Sequence, residues 1–107
     1  MLLLVLDANR EFTAQLTQLL TQRGHRVQHV FDEREPPDAM IVGLPRKPEP
    51  ASERMRETPL LLLAEGSLPF GELEAWIDGR TRWALLSKPV RESSLELSLC
   101  RISRTAP

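Results

Sequence analysis

Leu2 to Leu6 is an unbroken apolar run, LLLVL, the pattern of a strand covered on both faces. The polar stretch behind it offers Asp7 or Asn9 as a helix cap. Phe12, Leu16, Leu19 and Leu20 then recur at helical spacing and predict one face of a helix that Gly24 ends. RVQHV (26–30) fits a short second strand and AMIV (39–42) a third. From Pro45 to Pro50 three prolines exclude regular structure, and ASERMRE (51–57) has room for at most two helical turns. TPLLLLA (58–64) predicts a fourth, buried strand. FGELEAWIDG (70–79) predicts a short helix with Leu73, Trp76 and Ile77 inward, ended by Gly79. WALLSKP (83–89) is a fifth strand closed by proline. Residues 92–103 predict a last helix with Leu95, Leu99 and Ile102 on one face, although Leu95, Leu97 and Leu99 also alternate as a strand would. Residues 1–104 make one expected domain, and 105–107 a tail or the start of a linker.

Strands that alternate with helices and are apolar throughout predict an α/β, doubly wound, five-stranded and mostly parallel sheet. The functional crevice of such a sheet lies beyond the carboxyl ends of its strands. Those ends carry Asp7, Gly43, Ala64 and Lys88.

Composition narrows the function without choosing it. The 107 residues are 41% hydrophobic and 27% charged, with a net charge of −1, which gives no general pull towards nucleic acid or an anionic membrane. Cys100 is the single cysteine, so neither a disulfide framework nor a cysteine zinc site is expected, and a cytoplasmic setting fits. LLLVL is too short to span a bilayer and lacks a signal peptide's basic start. His25 and His29 have no acidic partner at metal spacing and are read as surface histidines. Trp76 is read as core, and Ser87 and Ser93 have no nucleophile context. Arg101 and Arg104 are too few for a DNA-binding patch.

Five segments taken in order resemble the receiver domain of bacterial response regulators, over nearly the whole chain. LLLVLDANREF resembles the first strand with its acidic pair, and PPDAMIVGLP the phosphoacceptor strand. TPLLLLAE resembles the strand that ends in Thr or Ser, and LLSKPV the strand that ends in Lys-Pro. Receiver chemistry, as the resemblance implies it, uses an Asp carboxylate to accept a phosphoryl group, Mg²⁺ on acidic oxygens, and Lys with Thr or Ser to hold the phosphate. Carried onto this chain, Asp7 fills the first acidic position and Ala8 replaces the second. Gly43 stands at the nucleophile position, Ala64 at the Thr/Ser position, and Leu85 at that of the switching aromatic. Asp7 and Lys88 alone keep the family's residues. The chain therefore reads as a degenerate pseudo-receiver: no enzyme, no phosphoacceptor, no metal and no cofactor.

Two segments depart from the family. Eight residues, FDEREPPD, separate Val30 from Ala39. They reach roughly 26 Å when stretched, enough to recross a sheet but not to form a helix on the way. The second helix is thus expected to be missing and the third reduced, which leaves the order and direction of the second strand open. Thin cover there is expected to expose apolar side chains such as Met40 or Val30.

The leading expectation is a non-phosphorylatable protein-interaction module of two-component phosphorelay signalling. It would be a regulator's input domain or an internal domain of a hybrid sensor kinase. Its partners would be a kinase domain, an output domain or a second copy, with no membrane contact, and nucleic acid only through a separate domain. The resemblance puts the interaction face on residues 71–79, 83–88 and 92–103, with Trp83 as anchor and Glu72, Arg82, Arg91 and Glu96 as rim charges. Asp7 either caps the first helix or pairs with Lys88, and the resemblance implies a cis Lys88–Pro89 bond. The alternative function is a cyclic-dinucleotide sensor in which Arg80 and Arg82 of GRTRW grip phosphate.

Overall fold

A computed structural model describes residues 1–46, 53–66 and 70–103. The tail expected at 105–107, and Arg104, lie outside the described residues. Along the chain run β1 (Leu2–Leu6), α1 (Arg10–Gln22), β2 (Arg26–Gln28), β3 (Ala39–Gly43), α2 (Glu53–Glu57), β4 (Leu60–Ala64), α3 (Phe70–Ile77), β5 (Trp83–Ser87) and α4 (Glu92–Ser103). The sheet is parallel throughout in the order β2-β1-β3-β4-β5, the flavodoxin- and CheY-like arrangement. The last segment is helix, not strand: Leu95, Leu99 and Ile102 are buried while Leu97 faces out, the 3.6-residue period overriding the local alternation.

The continuous apolar runs serve both faces by period-2 alternation. Leu3, Val5, Ala39, Ile41, Leu61 and Leu63 pack under α1 and α4. Leu4, Met40, Val42, Leu60 and Leu62 pack on the opposite face with Trp76 and, at the margin, Phe31, Met55 and Leu73. Trp76 is core as expected, and its indole N–H donates to the carbonyl of Arg46.

The connection from β2 to β3 contains no helix, and the register explains how it manages without one. β2 stops at Gln28, opposite Leu4 of β1, and β3 starts at Ala39, opposite Leu3. The chain therefore needs to fall back by only one residue while moving two strands sideways, roughly 10 Å. A short β2 makes a short crossover sufficient.

Two expectations about this region are corrected. Val30 is exposed as expected, at 77%, but it is not in a strand, since pairing ends at Gln28. Met40, by contrast, is fully buried. The loop itself covers the sheet there, with Phe31 packed into the cluster and Pro37 buried. It is tied down where the Leu2 N–H donates to the Asp38 carboxylate (2.7 Å), Gln28 Nε2 donates to the Glu35 carbonyl (3.1 Å), and Arg54 donates to the Glu33 carbonyl (2.9 Å). Thin cover does not follow from a missing helix.

Candidate functional site

The carboxyl ends of β1, β3 and β5 deliver Asp7, Gly43 and Lys88 to one point. Parallel strands in register do this without further help: Leu6 lies opposite Val42, Gly43 opposite Leu63, and Ala64 opposite Ser87, so the residues after the last pairs share the rim. The Leu44 N–H donates to the Leu63 carbonyl and the Lys88 N–H to the Ala64 carbonyl, each at 2.7 Å, extending the ladder past the strand ends. Lys88–Pro89 is cis as expected, and Leu44–Pro45 is cis as well.

Lys88 Nζ lies 2.9 Å from Asp7 Oδ2, with the side chains only 11% and 7% exposed. The ammonium also stands 4.1 Å from the centroid of the Phe12 ring, a cation–π contact. Asp7 Oδ1 accepts the Asn9 N–H at 2.8 Å. Asn9, not Asp7, caps α1, its side-chain oxygen accepting the Phe12 N–H. Asp7 thus closes a local turn with one oxygen and crosses the sheet to Lys88 with the other, and both oxygens are engaged.

That carboxylate fills the space above Gly43. A Cβ built on Gly43 would lie 1.8 Å from Asp7 Oδ2 and 2.4 Å from its Cγ, far inside van der Waals contact. Gly43 has a strand conformation and needs no positive φ. What requires glycine is the close approach of the Asp7 side chain. The sequence marked Gly43 as a missing nucleophile but gave no sign that a neighbouring carboxylate occupies its place.

The donors present do not fit a divalent cation. Mg²⁺ wants several hard oxygens; Asp7 brings one carboxylate already matched by Lys88, Ala8 brings no oxygen, and Gly43 has no side chain. No cluster of three or more His, Cys, Asp or Glu able to hold a metal occurs among the described residues. Ala64 is buried, and Leu85 packs against the core cluster around Trp76, so neither position offers a group that a phosphate would attract.

The remaining expected site residues are spread out. Trp83 is 40% exposed at the start of β5, an edge strand of the sheet, with Arg82 exposed next to it in sequence and Arg91 exposed beyond the strand's other end. Glu96 is not a free rim charge: its carboxylate sits 3.1 Å from His25 Nε2. His25 in turn is largely covered, with Nδ1 3.1 Å from the Met1 amine, so it is not a plain surface histidine. Glu72 is half-buried, its Oε2 covered and without a hydrogen-bond partner among the described residues. Arg80 is committed to the fold, its Nε donating to the Trp76 carbonyl (2.9 Å) and Nη1 to the Thr58 carbonyl (2.7 Å). Burial, and secondarily the charge of Arg56, hold its guanidinium below the ordinary arginine pKa. A side chain spent on two carbonyls is poorly placed to grip a dinucleotide with Arg82.

No protein-family model and no curated protein matches this chain. Solved structures do. The receiver domain of the sensor histidine kinase PA1611 from Pseudomonas aeruginosa PAO1, which holds a magnesium ion in its active site cleft, is 24% identical with a TM-score of 0.72, over 95% of this chain and 96% of that one. The Vibrio cholerae chemotaxis protein CheY4 is 20% identical with a TM-score of 0.70, over 94% and 97%. The signal receiver domain of a signal transduction histidine kinase from Syntrophus aciditrophicus is 19% identical with a TM-score of 0.69, over 95% and 89%. The chain has the receiver fold.

Proposed function

We propose that this chain is a receiver-like module of two-component signalling whose phosphoryl switch has been replaced by a fixed internal ion pair. The observation that carries the reading is the position of the Asp7 carboxylate, held by Lys88 in the volume that a residue at 43 with a side chain would need. In receivers, an invariant lysine is drawn to a phosphorylated aspartate. Here Lys88 already has an anion, one supplied by the chain itself. An oxygen of the chain's own 2.9 Å from Nζ occupies the lysine without a phosphate, and under this reading the module transmits by binding alone.

The working surface under this reading is the α3-β5-α4 side, with a kinase domain, an output domain or a second copy as partner. Trp83 is its anchor, and Arg82 and Arg91 are its charges; large aromatics and arginines carry most of the energy at such contacts. Glu72 and Glu96 drop out, since the first is half-buried and the second is paired.

Incubation with acetyl phosphate and Mg²⁺ tests the switch. Intact-mass spectrometry is expected to show no added phosphoryl group, and a stoichiometric adduct would falsify the reading. Gly43→Asp alone is also expected to stay unphosphorylated, because Ala8 still supplies no metal ligand.

A further inference from the structure

β2 pairs only with Leu2, Leu3 and Leu4 of β1, so the last two residues of β1, Val5 and Leu6, have no strand partner on that side. The gap opens into a cleft of about 670 Å³ between the end of β1, one flank of α1 and the start of the β2–β3 connection. The volume is that of a small-molecule site. Leu6 and Ala14 give it an apolar wall, Val5 behind them being spent in the core, and Arg10, His29 and Arg46 also line it.

Among the described residues that line this cleft, Asp7 is the one acidic residue, and Lys88 balances that carboxylate. Arg10 is exposed at the first position of α1. His29 places Nδ1 3.4 Å from the Val5 carbonyl, so its Nε2 donates to an anion only when the ring carries both protons. The hydroxyls of Thr13 and Thr17 donate inward to carbonyls of the α1 segment, so they do not compete for an anion's partners.

We propose that this cleft binds a small organic anion, with a carboxylate or phosphate head at Arg10, joined by His29 when its ring carries both protons, and an apolar body along Leu6 and Ala14. Guanidinium is the side chain best matched to either head group. The apolar wall separates an organic anion from an inorganic one, because a bare phosphate leaves it unused. This claim is independent of the ion-pair reading above and needs neither a partner nor a phosphoryl donor to be tested.

The test is an amide NMR titration of the whole chain with benzoate and phenyl phosphate, beside inorganic phosphate and benzyl alcohol. Both organic anions are expected to move the amides of Leu6, Arg10, Ala14, Thr17 and His29 together, with dissociation constants of about 1 mM or below. Inorganic phosphate is expected to bind about tenfold more weakly, and benzyl alcohol not at all. Arg10→Gln, at an exposed position, is expected to leave the melting temperature unchanged and weaken both organic anions about tenfold, the loss of one charge-assisted contact. Unaltered affinity in that variant would overturn the site. Shifts scattered over the surface would do the same. Inorganic phosphate binding as tightly as phenyl phosphate would overturn the organic ligand.

Discussion

Asp7, Gly43 and Lys88 form a unit in which each residue is explained by the other two. Replacing Asp7 by Ala leaves a mostly buried ammonium with only the Phe12 ring for company, and the expected loss is about 3 kcal/mol. Gly43→Ala should cost about 1–3 kcal/mol in the native chain, because its methyl group drives the carboxylate off Lys88. In an Asp7→Ala background the same change should be neutral or slightly stabilising, since alanine suits a strand better than glycine. Urea denaturation of the four proteins measures this coupling, and equal effects of Gly43→Ala in both backgrounds would show that Asp7 does not occupy the site. At this scale the residue identities were readable and their roles only partly so. Capping and pairing stood as alternatives for Asp7; the pairing holds, while the cap falls to Asn9, whose own N–H takes the second Asp7 oxygen. The shared volume above Gly43 depends on three strands meeting and has no trace in local pattern.

Among the elements, β2 and the crossover show where length decides structure. The pattern RVQHV extended the strand to Val30, but the pairing stops two residues earlier, where His29 turns its ring, not its backbone, to the Val5 carbonyl. Periodicity reports which side chains suit a strand; it does not report where a neighbour ends. A three-residue edge strand has little to hold it, so the amides of Arg26–Gln28 are expected to exchange with solvent at least tenfold faster than those of Ala39–Gly43. Comparable protection in hydrogen-exchange measurements would contradict the boundary. α3 is fixed differently. Arg80 staples its carboxyl end to the start of β4 through two carbonyls. Its removal as Arg80→Ala should lower stability by about 1–2 kcal/mol, discounted for its partial exposure, with the loss read from the denaturation midpoint. GRTRW looked like a ligand grip because two arginines flank a strand; the carbonyls that claim the first of them come from residues 4 and 22 positions away.

For the molecule as a whole, α/β class, strand count and the crevice at the carboxyl ends were legible, because alternation of apolar strands with amphipathic helices leaves few arrangements. The position of the second strand was not, since it rests on a one-residue offset in register. If the β5 side is the contact surface, Trp83→Ala with Arg91→Ala should weaken self-association or partner capture in ultracentrifugation or pull-down without lowering the melting temperature; both residues lie outside the core clusters. Unchanged association would move the contact elsewhere. The interior strand β4 carries a different consequence. Leu60, Leu61, Leu62 and Leu63 are each fully buried, four consecutive leucines with proline before them and Glu65 as the next charge after them. Released from the sheet, such an uncharged run is a template for intermolecular stacking, and the first strand, LLLVL, is a second one. Thermal melts should therefore be irreversible above a threshold protein concentration, with scattering that rises through the transition, so that the lifetime of the native state against opening, and not its equilibrium free energy, governs survival of the chain on heating.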